Sequence, residues 1–285
     1  MTTALLIALL FVLAACGGGN LIDDDPAANG IYIDDILYDD LFSAITAAEG
    51  TSAVITIYSK IDRGISLSVN APLEAKFPDN THITIEGKGP GKCQIHCNLY
   101  YYTQDHSFFK ITDNSSLTLK NIRLNGGSRD SVISLAGGTL TMLEDAIITG
   151  SNINGGRGGG VFVLDGNFIM KGGSISGNTV TEISGLLRTG QGGGVIMEGG
   201  TFTMEGGDIS SNTATYIGGL YVRGGDFIMK GGTIRSNLAT SPTSNNNLGL
   251  YIYSGVPQGT AVYGDGTPIL EPGSTGTSVN LTGRN

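Results

Sequence analysis

Between Gly158 and Ala239 one pattern is written three times, with the same residue classes in the same order. The copies read GGGVFVLDGNFIMKGGSISGNTV, GGGVIMEGGTFTMEGGDISSNTA and GGLYVRGGDFIMKGGTIRSNLA. Each holds three short runs that alternate apolar with polar, separated by glycine pairs or an Asn, which is the signal for three strands joined by tight turns. A unit this short cannot bury its own apolar face, so successive units must stack and share one core. The pattern predicts an all-β chain wound as a coil, one repeat per turn, with three strands per coil.

Alternation then assigns a side to each residue. Val161/Val195/Leu220, Val163/Met197/Val222, Phe168/Phe202/Phe227, Met170/Met204/Met229 and Ile175/Ile209/Ile234 are expected to stack inward, like on like. The methionine column reads as core filling, since Met adapts to irregular apolar gaps. Asn178, Asn212 and Asn237 recur at one corner, where stacked amides bond to each other and to the turn backbone. Phe162, Ile196, Tyr221 and Tyr251 fall on the outward side, one above the next. An exposed apolar strip of this kind marks an interaction site, so these four are the candidate ligand-binding residues; the alternative is that residues 182–191 or the C-terminal tail fold over the strip and bury it.

The equivalent positions Val161, Val195 and Leu220 lie 34 and 25 residues apart, so residues 182–191 form a loop thrown out from one turn. Upstream, VITIY, GISLSV, HITIEGKGPG, QIHC, FFKIT, SLTLKNIRL, VISL and TLTM read as earlier coils of the same unit in degenerate form. Composition agrees: Gly contributes 46 of 285 residues, Trp is absent and 14% of residues are charged, which suits turns and strands.

Residues 1–15 are almost wholly apolar from Ala4 and too short to cross a bilayer of roughly 30 Å, which reads as an export signal. Residues 16–38 are expected to be a flexible acidic tether, 39–53 a capping helix, 54–255 the coiled domain and 256–285 a terminal cap broken by Pro257, Pro268 and Pro272. The helix is read from Leu41, Phe42, Ile45 and Ala48, closed by Gly50. The net charge of −9 is mostly local: residues 1–59 hold eight of the 25 acidic side chains and no basic one, leaving 17 acidic against 16 basic in the remainder. A near-neutral coil has no basic stripe for a phosphate backbone, so nucleic acid is not an expected partner.

Two resemblances add to this reading. The run Leu13-Ala14-Ala15-Cys16 resembles the bacterial lipobox, which implies cleavage before Cys16 and a lipid on its sulfur, hence a membrane-anchored protein of the cell envelope. The glycine-led strand starts and the Ile-x-x-Asn corners, over about residues 109–255, resemble the GGA(I/L/V) and FxxN repeats of polymorphic outer membrane proteins and autotransporter passengers, with Ile here where those have Phe. That resemblance implies a single-stranded right-handed parallel β-helix of the pectate-lyase-like class.

Enzymes resembling pectate lyases or polygalacturonases set carboxylates and basic residues side by side on outward positions of adjacent coils. Here the outward charges stack with opposite sign, Glu198 beside Arg223 and Glu205 between Lys171 and Lys230, which reads as exposed cross-strand pairing. Cys93 and Cys97 flank His96 in CQIHC; in an extended strand they stand about 13 Å apart, beyond the reach of a disulfide. They read as buried strand cysteines, with a zinc site drawing on His82 or His106 as the alternative. No cofactor, metal or catalytic residue is assigned. The expected function is presentation of a binding or adhesion surface for glycans or proteins, with a polysaccharide lyase or glycoside hydrolase and a ligand-free spacer as the alternatives.

Overall fold

The computed structural model describes residues 30–58, 66–69, 75–76, 79–88, 93–97, 107–127, 131–183, 189–241, 250–252 and 261–263. The expected signal segment, Cys16, His106 and most of the expected C-terminal cap lie outside the described residues.

The described chain is all-β in class, with strands in three sheets of 15, seven and four strands and one helix. A coil begins with Ile133–Met142 in the first sheet, continues with Ile147–Thr149 in the second and Asn152–Asn154 in the third, and returns to the first at Val161–Met170. Each strand pairs in parallel with its counterpart one coil on. This order is compatible with a β-helix-like winding. Three strands per coil hold for the coils starting at Ile133 and Val161. In the next two the chain bends at Gly199-Gly200 and Gly224-Gly225, dividing the first strand into Val195–Met197 and Thr201–Met204, then Leu220–Val222 and Asp226–Met229, which makes four. Winding persists into the expected terminal cap, where Ala261–Tyr263 pairs in parallel with Phe227–Met229.

The start of the domain differs from the sequence reading. Residues 30–38, expected as tether, form a hairpin of Gly30–Ile33 and Ile36–Tyr38. Asp34 and Asp35 turn it with φ of 47° and 67°, the left-handed pair that a two-residue hairpin loop needs. Gly30–Ile33 then lies antiparallel to Ser52–Tyr58, the first strand of the parallel stack. The intervening helix spans Leu41–Ala47, with Asp40 as N-cap accepting from the Ser43 amide at 2.7 Å. It buries Leu41, Ala44, Ile45 and Ala48, while Phe42 is exposed. The sequence reading placed Phe42 on the apolar face, but 41/44/45/48 is the true i, i+3, i+4, i+7 stripe and Ala44 takes the fourth place in it.

All five inward columns read from the repeats are buried, and their members pair directly between coils. The columns run past the clear repeats: Ile55, Ile85, Leu119 and Met142 precede Met170 in register, so a branched aliphatic column becomes a methionine column. The rings of Phe168 and Phe202 stack with centroids 4.2 Å apart and planes 9° from parallel, and Phe227 follows at 5.2 Å. Parallel pairing at about 4.8 Å per strand sets this spacing, so the core consists of side chains repeated at the backbone's own interval.

The corner asparagines repeat one bonding pattern. Asn178 donates from Nδ2 to Asn212 Oδ1 at 3.0 Å, and Asn212 donates likewise to Asn237 at 3.1 Å. The main-chain amides of Asn178 and Asn212 donate to the same two oxygens, and each Nδ2 also reaches a carbonyl of the preceding coil, at Ile148, Ile175 and Ile209. All three residues are buried. One coil earlier the position belongs to Ser151, whose amide donates to Asn178 Oδ1 but whose own hydroxyl is buried without a partner.

Asn212→Leu removes the middle member and takes away the acceptor of the buried Asn178 main-chain amide and the side-chain donor to the Ile175 carbonyl, so it should cost about 1–3 kcal/mol. A melting curve that overlays the parent's would show that the amides carry no stability. Ser211, at φ 54°, occupies the left-handed position that Gly177 fills at 69°. Ser211→Gly is therefore expected to raise stability by about 0.5–1 kcal/mol, relief of left-handed strain outweighing the added freedom of the unfolded chain; a lowered midpoint in denaturant would contradict this.

Candidate functional site

Phe162, Ile196 and Tyr221 do stand in register on one face, and Tyr221 pairs with Tyr251 in the next strand. The strip is nevertheless covered, which corrects its expected exposure. Ile196 is 0% and Tyr221 6% exposed, and Phe162 is half-buried. With Ile217 and Tyr216 they form a second apolar cluster outside the main core. The side chain of Tyr251 lies outside the described residues.

What covers the strip is the glycine-rich segment that leads into each strand. Arg157, Gln191 and Ile217 form parallel bridges with one another, a narrow ladder alongside the strip. The Arg157 guanidinium sits 5.6 Å from the Phe162 ring centroid and is hydrogen-bonded to Glu198, which also accepts from Arg223 at 2.9 Å. Glu182 fastens the other side, accepting from the Tyr216 hydroxyl at 2.6 Å, a bond that holds the Tyr216 phenol above its usual range. At Gly158 a Cβ would lie 2.7 Å from Ile196 Cγ2, and at Gly192 2.9 Å from Ile196 Cβ, with both residues at positive φ. The glycines that begin each repeat are therefore the signal that could have revealed the cover: a backbone passes directly over the strip and leaves no room for side chains.

The expected charge pairs are partly as read. Glu198 bridges Arg223 and, in addition, Arg157; Glu205 pairs with Lys230 at 3.3 Å, the lysine that reaches it. Cys93 is buried, its thiol directed at the Ile57 carbonyl at 3.1 Å, and the side chain of Cys97 lies outside the described residues. His82 Nδ1 lies 3.0 Å from Ser116 Oγ, and His96 Nδ1 accepts from Asn125 Nδ2 at 3.1 Å. Among the described residues no three metal-ligating side chains converge.

A second candidate site lies at the junction of the N-terminal hairpin with the first parallel strands. A cleft of about 570 Å³ is lined by Tyr32, Asp34 and Asp35 from the hairpin, Val54, Thr56 and Tyr58 from the first parallel strand, and Glu86 and Lys88 from the next. Pairing of Tyr32 with Thr56, Thr56 with Glu86, and Tyr58 with Lys88 holds these side chains in register. VITIY was expected as an early strand, but Tyr32 and the two aspartates belonged to the expected tether, so the hairpin wall of the cleft was invisible.

Glu86 is its electrostatic centre, 3.3 Å from Lys88 Nζ and 3.0 Å from Lys120 Nζ. Burial pushes its carboxyl up, but the hydrogen bonds and charges of Lys120 and Lys88 outweigh that and hold it below the usual carboxylate range. The bond to Glu86 in turn holds Lys120 above the usual lysine range. Glu86 is thus a fixed anionic acceptor, whereas an acid catalyst of glycoside hydrolysis needs a raised pKa.

The comparisons leave the fold class to stand on the geometry: no protein-family profile, curated protein or solved structure matches the chain. It is an all-β protein built on parallel sheets.

A depressed folded pKa contributes stability that is present above the unfolded value and is lost as pH falls through the folded one. Glu86→Gln should therefore lower the melting temperature at neutral pH, with the gap to the parent closing as the solution is acidified below the carboxylate range. A gap independent of pH would mean that the lysine pairing contributes nothing.

Proposed function

We propose that this chain is an exported lipoprotein, anchored through a lipid on Cys16, whose sheets wind as one right-handed parallel β-helix that presents the Tyr32–Tyr58 cleft as a glycan-binding site. The winding is supported by the passage of the chain from Ile133 to Ala239 through three sheets in constant order, coil after coil, and crossovers between parallel strands are right-handed in nearly all proteins. Anchoring rests on the Leu13-Ala14-Ala15-Cys16 run, and no helix among the described residues is long and apolar enough to cross a membrane.

The observation that carries the binding reading is the cleft's composition. Tyr32 and Tyr58 bring apolar ring faces with hydroxyls at their tips, suited to the C–H faces and rim hydroxyls of a sugar. Thr56, Asp34, Asp35, Glu86 and Lys88 supply donors and acceptors around them, the mixture of apolar wall and convergent polar groups found in ligand sites. Glu86 is held ionised by its lysines, which favours binding over hydrolysis.

The Cys16→Ser form, probed on glycan and protein arrays, should bind glycans, and Tyr58→Ala should abolish that signal while leaving the melting temperature within a few degrees. Binding that survives Tyr58→Ala and Tyr32→Ala together would place the site elsewhere, and a signal on proteins alone would overturn the glycan assignment. For the anchor, Cys16→Ser should end palmitate labelling and release the protein from the membrane fraction; labelling that persists would refute the lipidation.

A further inference from the structure

The cleft does not end at Val54. A second, shallower hollow of about 220 Å³ adjoins it, also lined by Val54, with Ser52, His82, Thr84, Ser116 and Thr118 as its polar lining. Val54 pairs with Thr84, and Thr84 with Thr118, while Thr56, Glu86 and Lys120 form the next row on the same three strands. No row of side chains separates the two hollows, so they form one groove along the strands. From Tyr58 to Ser52 it covers six residues of strand, about 20 Å. A ligand confined to the tyrosine end would leave the other half of the groove empty.

The chemistry changes along the groove. At the hairpin end stand the rings of Tyr32 and Tyr58 and the carboxylates of Asp34 and Asp35. At the other end hydroxyls predominate, and His82 is the one ionisable side chain. Its Nδ1 lies 3.0 Å from Ser116 Oγ, a contact that ties the side chains of two strands together. Ser52 and His82 are exposed, and Thr84 and Thr118 partly so. The central strand of the floor, His82–Lys88, is paired on both sides, so its main chain is committed to the sheet. An extended peptide taken up by strand addition needs an open edge, which the middle of a sheet lacks. What the floor does offer is a run of side-chain hydroxyls that ends on aromatic rings, and that combination matches a chain of sugar rings.

We propose that the groove binds a linear, neutral oligosaccharide several rings long, one part of it against the tyrosines and the rest over Thr84, Thr118, His82 and Ser116. The inference rests on the glycan reading of the cleft and adds to it a length and a charge class. Charge decides against polyuronates and sulfated chains. Asp34, Asp35 and Glu86 bring three carboxylates to the groove, and the cations beside them, Lys88 and Lys120, are both paired with Glu86. The far end is lined by no Lys or Arg among the described residues. A polyanion would therefore meet Asp34 and Asp35 with no cation left to offset them, a like-charge juxtaposition that selects against it. A neutral chain meets no such repulsion, and the same carboxylates accept hydrogen bonds from its hydroxyls.

Calorimetric titration of the Cys16→Ser protein tests this, with di-, tetra- and hexasaccharides of the cello, laminari, manno and N-acetylchito series beside oligogalacturonates of the same lengths. Affinity for at least one neutral series should rise about tenfold or more from di- to hexasaccharide, the gain from one or two added hydrogen bonds at the far end. Oligogalacturonates should bind more weakly at every length. Ser52→Arg and Ser116→Arg, which fill the far end, should lower hexasaccharide affinity to the disaccharide level and leave disaccharide affinity unchanged, whereas Tyr58→Ala should remove both. Each arginine variant is checked for the parent's melting temperature, and if one fails to fold the other serves. Affinity independent of length, undiminished hexasaccharide binding in a folded arginine variant, or preference for oligogalacturonate overturns the inference while leaving the cleft a glycan site. Absence of binding to every glycan, or binding of unfolded casein in their place, overturns the glycan reading and this inference with it.

Discussion

Parallel register between coils is the interaction on which everything else in this protein depends. Once Val161 pairs with Val195, and Val195 with Leu220, every residue of a coil is brought to its counterpart at one backbone interval. Identical side chains then meet with no choice of partner. Phe168 must stack on Phe202, Asn178 must bond Asn212, and Met170 must meet Met204. The same rule that makes the core makes the surface rows, so a substitution in one copy alters a column shared by its neighbours.

Much of this architecture was legible because the signal was repeated. Three copies in register located the inward columns and the corner asparagines better than any one copy would. Legibility ended where a tertiary neighbour decided the outcome. Alternation says that Ile196 points away from the main core, but not that another segment lies across it; the information was in Gly158 and Gly192, residues that read equally well as turns. The hairpin at Gly30–Tyr38 was missed for a different reason. Its aspartates matched the profile of a solvated spacer, and a turn made by Asp34 and Asp35 with both φ positive has no glycine to announce it.

The two sheet surfaces show how polar groups with similar residue chemistry diverge. Where an aspartate stands in the row, as Asp208 does, nearby hydroxyls and the Arg235 guanidinium turn toward it and the surface closes on itself. On the first sheet, where Thr84, Thr118 and Thr141 stand in register, the threonines are partly exposed. The cleft lies between these extremes, with Glu86 committed to two lysines while the tyrosines line its walls.

The hairpin that begins at Gly30 is both the entry point of the described chain and one wall of the cleft. If the anchor precedes it, mechanical load between a held ligand and the membrane follows a short path: through the hairpin and the first two parallel strands, bypassing the later coils altogether. The long stack would then feel no tension. Its length would set how far other surfaces project, while resistance to pulling would be decided by the antiparallel pairing of Gly30–Ile33 with the strand that holds Tyr58.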